Sequence, residues 1–218
     1  MELLQVNQLI ESTEIFVKER LAGTSGDGHD YEHTQRVVRH ALVLCSQMPH
    51  ARQEIVHLAA LLHDVARIEE SASNGAIDHA SRGAEIAREF LERQGAAPEM
   101  IGRIIRCVQQ HRYRSDCKPD SVEAEILYDA DKLDSLGAVG IGRAFLFAGA
   151  VGAKLHNSAA EAVNSPAYSR EDTAYREYLV KLSKLPEKML TPCARIRAEQ
   201  LKNFMDSFFE QLNKEFFG

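Results

Sequence analysis

The sequence predicts an all-α fold, read as one single-domain helical bundle, on three observations. Apolar residues recur at helical spacing along most of the chain. Strand-type alternation is nearly missing. Helix start and stop residues (Asp, Ser or Pro before apolar runs, Gly after them) recur at intervals that suit short connections. With 218 residues, the chain is long enough to bury roughly 70% of its unfolded surface without disulfide or metal staples. No repeat, low-complexity tract or long linker divides it.

The elements follow in order. Residues 3–21 form an amphipathic helix ending at Gly23, and GTSGDGHD (23–30) is a polar, glycine-rich loop. A second helix spans about Tyr31 to Met48. A third starts after Pro49 and runs to about Glu70. SASNGAI (71–77) is a loop. Asp78 caps a fourth helix from His79 to Gln94, stopped by Gly95. Pro98 opens a fifth, to about His111, followed by the loop RYRSDCKPD (112–120). Asp120 and Glu123 have capping-box spacing for a sixth helix to about Leu136. A glycine-spaced helix covers about 138–150, and NSAAEAVNSPAYS (157–169) reads as an exposed excursion. Helices over 173–217 pack on the core. Thr191-Pro192 opens the last of them, with Ile196, Leu201, Phe204, Met205, Phe208 and Leu212 on its apolar face. That face points to the core by default, or to a second subunit, so monomer and homodimer both stay open.

Composition excludes some classes. The net charge of −6 argues against a partner that is a nucleic acid polymer, since such binding calls for a basic face. It leaves room for a small phosphorylated substrate. No apolar run reaches the roughly 20 residues of a membrane span. MELLQVNQLIESTEIF carries acidic residues and no signal-peptide core, and the four cysteines form no C-x-x-C pair. Reduced thiols in a cytoplasmic protein are expected.

The chemistry lies where polar residues interrupt buried stripes. In LAALLHDVARIEE (58–70), His63 follows Ala59 and Ala60 by four and three, which places it inward inside the helix, with Asp64 about 100° round. The second helix reads His33, Val37, Ala41, Leu44. The fifth reads Ile101, Ile104, Ile105, Val108, His111. The sixth reads Ala124, Leu127, Tyr128, Asp131. One inward His is usually a hydrogen-bonded core residue, but an unpaired buried carboxylate is very costly. Two His and two Asp in one interior fit a divalent cation bound by His33, His63, Asp64 and Asp131: Mn, Mg, Fe, Ni or Zn, in the absence of thiolates.

DYEHTQRV, LAALLHDVAR and LYDADKLDSLG together resemble the HD-domain superfamily, helical metal-dependent phosphohydrolases, over roughly residues 29–145. The resemblance implies His33, His63, Asp64 and Asp131 as ligands, with Mn²⁺ or Mg²⁺ first among the metals. It also implies metal-activated water attacking phosphorus. DADKLDSLGAVGIGRAF is similar to small bacterial single-domain members, some acting on nucleoside triphosphates. Hydrolysis to a monophosphate and pyrophosphate is therefore the preferred expectation. A 5'-nucleotidase or other phosphate-ester hydrolase, an HD-fold di-iron oxygenase and a non-catalytic nucleotide-binding module are the alternatives. His79 and His111 stand where two-metal members place extra histidines. They are expected to hold a second ion, with Asp64 bridging, or to meet substrate phosphate.

Arg36, Arg67, Arg112 and Lys132 are expected on substrate phosphates, within a basic group that includes Arg103, Arg106 and Arg114. Asp64, Arg67, Lys132 and Asp134 are the candidate catalytic residues. Asp134 is preferred as general base over Glu69 and Glu70, which read as solvated at a helix end. Arg67 and Ile68 stand where alarmone hydrolases carry Glu-Asp. RYRSD lacks the Gly-Tyr-Pro of the cyclic-dinucleotide enzymes.

Overall fold

The structure is a computed structural model and describes residues 3–22, 30–112 and 117–218. The loop over 23–29, Arg114 and the rest of 113–116 lie outside the described residues. No strand occurs among them. The helices are α1 Leu3–Arg20, α2 Tyr31–Ser46, α3 Gln53–Leu62, α4 Arg67–Ala72, α5 His79–Arg93, α6 Pro98–Gln110 and α7 Val122–Leu133. They continue with α8 Gly137–Ala150, α9 Ala159–Asn164, α10 Ala174–Val180, α11 Leu185–Lys188 and α12 Pro192–Phe217. The backbone gathers into two compact units. One carries α1 to α6 and α7 as far as Asp131; the other is Lys132–Gly218.

In the first unit α3 is the central element. Its second half, Leu58–Leu62, is apolar on every side and buried, while Gln53 is exposed and Glu54 and His57 are half-buried, and it packs on α1, α2 and α6. Ile55, Leu58, Leu61 and Leu62 are almost fully buried. Each such side chain contributes about 1.5–3 kcal/mol relative to exposure. Phe16 of α1 stacks on Phe90 of α5 with ring centroids 4.2 Å apart. Asp30 caps α2 by accepting from the His33 backbone N–H at 2.8 Å, so the cap itself fixes the first turn that carries His33. Asp78 caps α5 through the Ser81 N–H at 2.9 Å, and α5 gives way to Gly95, at φ +71°.

In the second unit Phe209 of α12 stacks on Tyr178 of α10 at 4.6 Å, and Phe208 meets Phe145 of α8 at 6.1 Å. Thr191 caps α12, accepting from the Ala194 N–H. Asp134 and Arg143 pair at 2.8 Å across the turn that opens α8. The same turn needs Gly140, because a Cβ there would collide with the Ser135 carbonyl.

Several expectations require correction. The third helix does not start at Pro49 or run to Glu70. It is Gln53–Leu62, and the chain turns through residues 63–66 before α4 begins at Arg67. The sixth helix is capped by Ser121, whose hydroxyl accepts from the Ala124 N–H, while Asp120 is drawn away by Arg106. The segment 157–169 is not a plain excursion: Ser158 and Glu161 form a capping box for α9, and Ala162 is buried. The buried face of α12 is Ala194, Ala198, Met205 and Phe209, with Ile196 and Phe204 exposed. Small alanines take the packed face there, which a reading by side-chain size misses.

Gly140→Ala is expected to lower the unfolding free energy by about 1–3 kcal/mol, since the added carbon forces the Ser135 backbone to move. Urea denaturation measures this. An unchanged midpoint would show that the turn relaxes freely.

Candidate metal centre

Five of the first unit's helices deliver donor side chains to one interior. His33 comes from the first turn of α2. His63 and Asp64 follow the last residue of α3. His79 opens α5, His111 caps the end of α6, and Asp131 lies in the last turn of α7. All but Asp131 are almost wholly buried; the Asp131 side chain is 17% exposed.

Donor atoms of His33, His63 and Asp131 lie within 4.8 Å of one another, and so do those of Asp64, His79 and His111. Asp64 joins the two trios. Its Oδ2 is 3.6 Å from Nε2 of both His33 and His63. Its Oδ1 is 3.1 Å from His79 Nε2 and 3.7 Å from His111 Nε2. The Nε2 atoms of His79 and His111 are themselves 3.1 Å apart. His33 Nε2 is 3.5 Å from Asp131 Oδ1.

The ring tautomers follow from local backbone chemistry. The last four carbonyls of a helix have no partner inside it. His63, one residue past α3, gives its Nδ1–H to Ala60 O at 2.8 Å; His111, one residue past α6, gives its Nδ1–H to Val108 O at 2.7 Å. The proton is then on Nδ1, and Nε2 presents a lone pair to the interior. His63 Nε2 is buried with no hydrogen-bond partner in the protein. An orphaned imidazole lone pair among carboxylates and further imidazoles is what a divalent cation satisfies, and the nitrogen- and oxygen-rich set fits one. Electrostatics agree. Burial, opposed by Asp64 and Asp131, lowers His63 below its ordinary value, and burial with the adjacent His63 pushes His111 down to about 3. Both rings stay neutral and able to ligate.

Outside the donors lies a second layer. Glu70 Oε2 lies 2.7 Å from His79 Nδ1 and accepts from Arg67 Nη1 at 2.5 Å, and Oε1 accepts from Arg112 Nη1 at 2.7 Å. Burial raises the Glu70 carboxyl, but the His79 bond and the two guanidiniums outweigh it and hold it below its ordinary value. Glu70 is therefore not a solvated helix-end residue. Sequence spacing missed it because two of its three partners, His79 and Arg112, come from α5 and the end of α6. Glu69 is also engaged, paired with Arg82 at 2.8 Å and with Arg20. Arg20 further donates to Val65 O at 2.9 Å, which ties α1 to the turn that carries Asp64.

The basic residues divide. Arg67 and Arg112 border the second trio through Glu70 and His79. Arg103 pairs with Glu123 and Arg106 with Asp120, away from the donors. Arg36 and Lys132 are half-buried, Lys132 next to Asp131 in α7. Asp134, the preferred general base, is buried and bonded to Arg143, an arrangement that serves the start of α8. The four cysteines are free thiols. Among the described residues no single helix is long and apolar enough to cross a membrane.

An all-helical frame, an adjacent His-Asp pair, an upstream His and a downstream Asp define a class. A family model for the HD domain matches residues 30–136. The protein YpgQ of Bacillus subtilis is 34% identical over 195 residues, covering 88% of this chain and 86% of that one. The chain belongs to the HD-domain superfamily. Among solved structures, B. subtilis YpgQ in complex with ADP matches with TM-score 0.77 at 28% identity, covering 98% of both chains. An HD-superfamily hydrolase from Bacillus thuringiensis matches with TM-score 0.75 at 30% identity, over 96% of this chain and 97% of the other.

The neutral histidines give a pH dependence. In the unfolded chain each binds a proton near pH 6.5, while folded His111 does so only near 3 and His63 below its ordinary value. Between those limits the unfolded state holds more protons, so stability falls as pH falls. The thermal midpoint of metal-stripped protein should drop from about pH 7 to about pH 5, and less steeply in His111→Leu. Circular dichroism melts check this. A flat midpoint would contradict the buried neutral rings.

Proposed function

We propose that this protein is a divalent-metal-dependent phosphohydrolase acting on nucleotides, with conversion of a nucleoside triphosphate to its monophosphate and pyrophosphate as the preferred reaction. One observation carries the reading: Asp64 turns one oxygen to each of two donor trios. His33, His63, Asp131 and Asp64 Oδ2 would hold one ion, and His79, His111 and Asp64 Oδ1 a second. Four imidazoles in the set favour Mn²⁺ over Mg²⁺, which prefers oxygen and water, and leave Fe, Ni or Zn as other fits. Bound there, a divalent ion supplies a water of lowered pKa and neutralises phosphoryl oxygens.

The protein's own residues position and shield. Buried helices keep bulk water from the donors, and the Nδ1 bonds to Ala60 and Val108 fix the ring planes. Arg67 and Arg112 each spend Nη1 on Glu70; a guanidinium has five N–H groups, so others are left to meet phosphate oxygens. Arg36 and Lys132 are proposed to assist. The nucleotide class is supported by YpgQ, whose structure was solved with ADP.

Metal-stripped protein resupplied with Mn²⁺ and given a panel of nucleoside mono- and triphosphates should release monophosphate and pyrophosphate from a triphosphate. Asp64→Ala should lose metal and more than the roughly 100-fold of turnover that an outer-layer substitution costs, with helicity kept. Orthophosphate from monophosphates would replace this reading with a nucleotidase. Iron-dependent oxygen uptake without hydrolysis would replace it with the oxygenase, and tight binding without turnover with a binding module.

A further inference from the structure

We propose that Glu70 is a positioning residue that decides which nitrogen of His79 carries the proton, and thereby opens the Asp64–His79–His111 trio to a cation. This deepens the two-ion reading above and rests on it for the ion, though not for the tautomer.

The argument starts from the helix end that carries His79. His63 and His111 follow helix C-termini, where spare carbonyls accept an Nδ1–H. His79 opens α5, and a helix N-terminus offers spare N–H groups instead. Its ring therefore needs an acceptor from elsewhere. Three groups surround Nδ1: Glu70 Oε2 at 2.7 Å, Arg67 Nη1 at 2.9 Å and Arg112 Nη1 at 3.2 Å. An ionised carboxylate only accepts and a guanidinium only donates, so they demand opposite tautomers.

If Nδ1 carries the proton and gives it to Glu70, Nε2 turns a lone pair toward Asp64 Oδ1 and His111 Nε2, each 3.1 Å away. If an arginine donates to Nδ1, the proton sits on Nε2, points at Asp64 and fills the place of a cation. Glu70 wins in three ways. At 2.7 Å it lies closer to Nδ1 than Asp64 Oδ1, the carboxylate that competes for the ring proton, lies to Nε2, at 3.1 Å. It is the nearest of the three to Nδ1. It also draws both arginine Nη1 groups to itself, at 2.5 and 2.7 Å, closer than either comes to the ring. The His79 side chain is only 3% exposed, so the groups competing for Nδ1 are protein groups. Carboxylate–histidine pairs of this kind orient ligating imidazoles and raise their basicity.

Glu70→Ala and Glu70→Gln test this with two readouts. The first is ¹⁵N NMR of the metal-free protein at mildly alkaline pH, with the His79 signals assigned from His79→Gln. The second is calorimetric titration with Mn²⁺. In Glu70→Ala the His79 proton should move to Nε2, and the weaker Mn²⁺ event should lose about 10–100-fold in affinity while the tighter one stays. Glu70→Gln should keep the Nδ1 proton and most of the affinity, because Arg67 and His79 meet at the Oε2 position and two donors there hold the amide oxygen in that place, where it still accepts. An unchanged tautomer and second affinity in Glu70→Ala would overturn the proposal and leave Glu70 as a counter-charge for the arginines. Equal losses in both variants would also overturn it, since charge and not acceptance would then be what matters. One Mn²⁺ event in the unaltered protein would remove the two-ion reading, while the NMR result still decides the role of Glu70.

Discussion

The whole of the first unit is organised around one carboxylate. Asp64 is 3% exposed and stands among four imidazoles, two on each side. Asp131 brings a second carboxylate to the same interior. Taking two such charges out of water costs several kcal/mol each unless they are compensated, which is comparable to the net stability of a domain. Only a well-packed frame can hold such a group in place. That fits the full burial of Leu58–Leu62, the end of α3 that leads into it, and the bond by which Arg20 of α1 ties down the turn that follows.

The frame supplies more than rigidity. Placing His63 and His111 just past helix C-termini solves two problems at once. Each ring takes up a carbonyl that the helix leaves unpaired, and in doing so fixes its own tautomer. A histidine in mid-helix would find those carbonyls already bonded to the next turn. The chain turn at 63–66 is therefore functional geometry: ending α3 at Leu62 is what makes Ala60 O available.

This marks what the sequence could and could not reveal. Inward His33, His63, His111 and Asp131 were legible because each falls in step with a buried stripe, and a stripe is a one-helix property. Most helix starts were legible because caps are local: Asp30, Asp78 and Thr191 each bond a backbone N–H within three residues. The end of α3 was not, since LLHDVARIEE contains no Gly or Pro; the break shows only as i to i+3 backbone bonds such as Arg67 N–H to Asp64 O. The surroundings of Glu70 and Asp134 were not legible for a related reason. Spacing placed Asp134 one turn from Asp131, but Arg143 takes its carboxylate; Glu70 looked terminal, yet three residues from α4, α5 and the end of α6 converge on it. Networks between helices leave no periodic trace.

Charge then narrows what such a site can serve. Two divalent ions would exceed the charge of Asp64 and Asp131 by two, while Arg67 and Arg112 are balanced by Glu70 and Asp78. The loaded interior would be strongly positive, although the chain as a whole is negative. In a low-dielectric setting that surplus favours an incoming polyanion and disfavours a neutral ligand. A polyphosphate would be such a polyanion. The arginines held by Glu70 add to this selectivity, because a guanidinium already fixed in place loses little further freedom when a phosphate oxygen arrives.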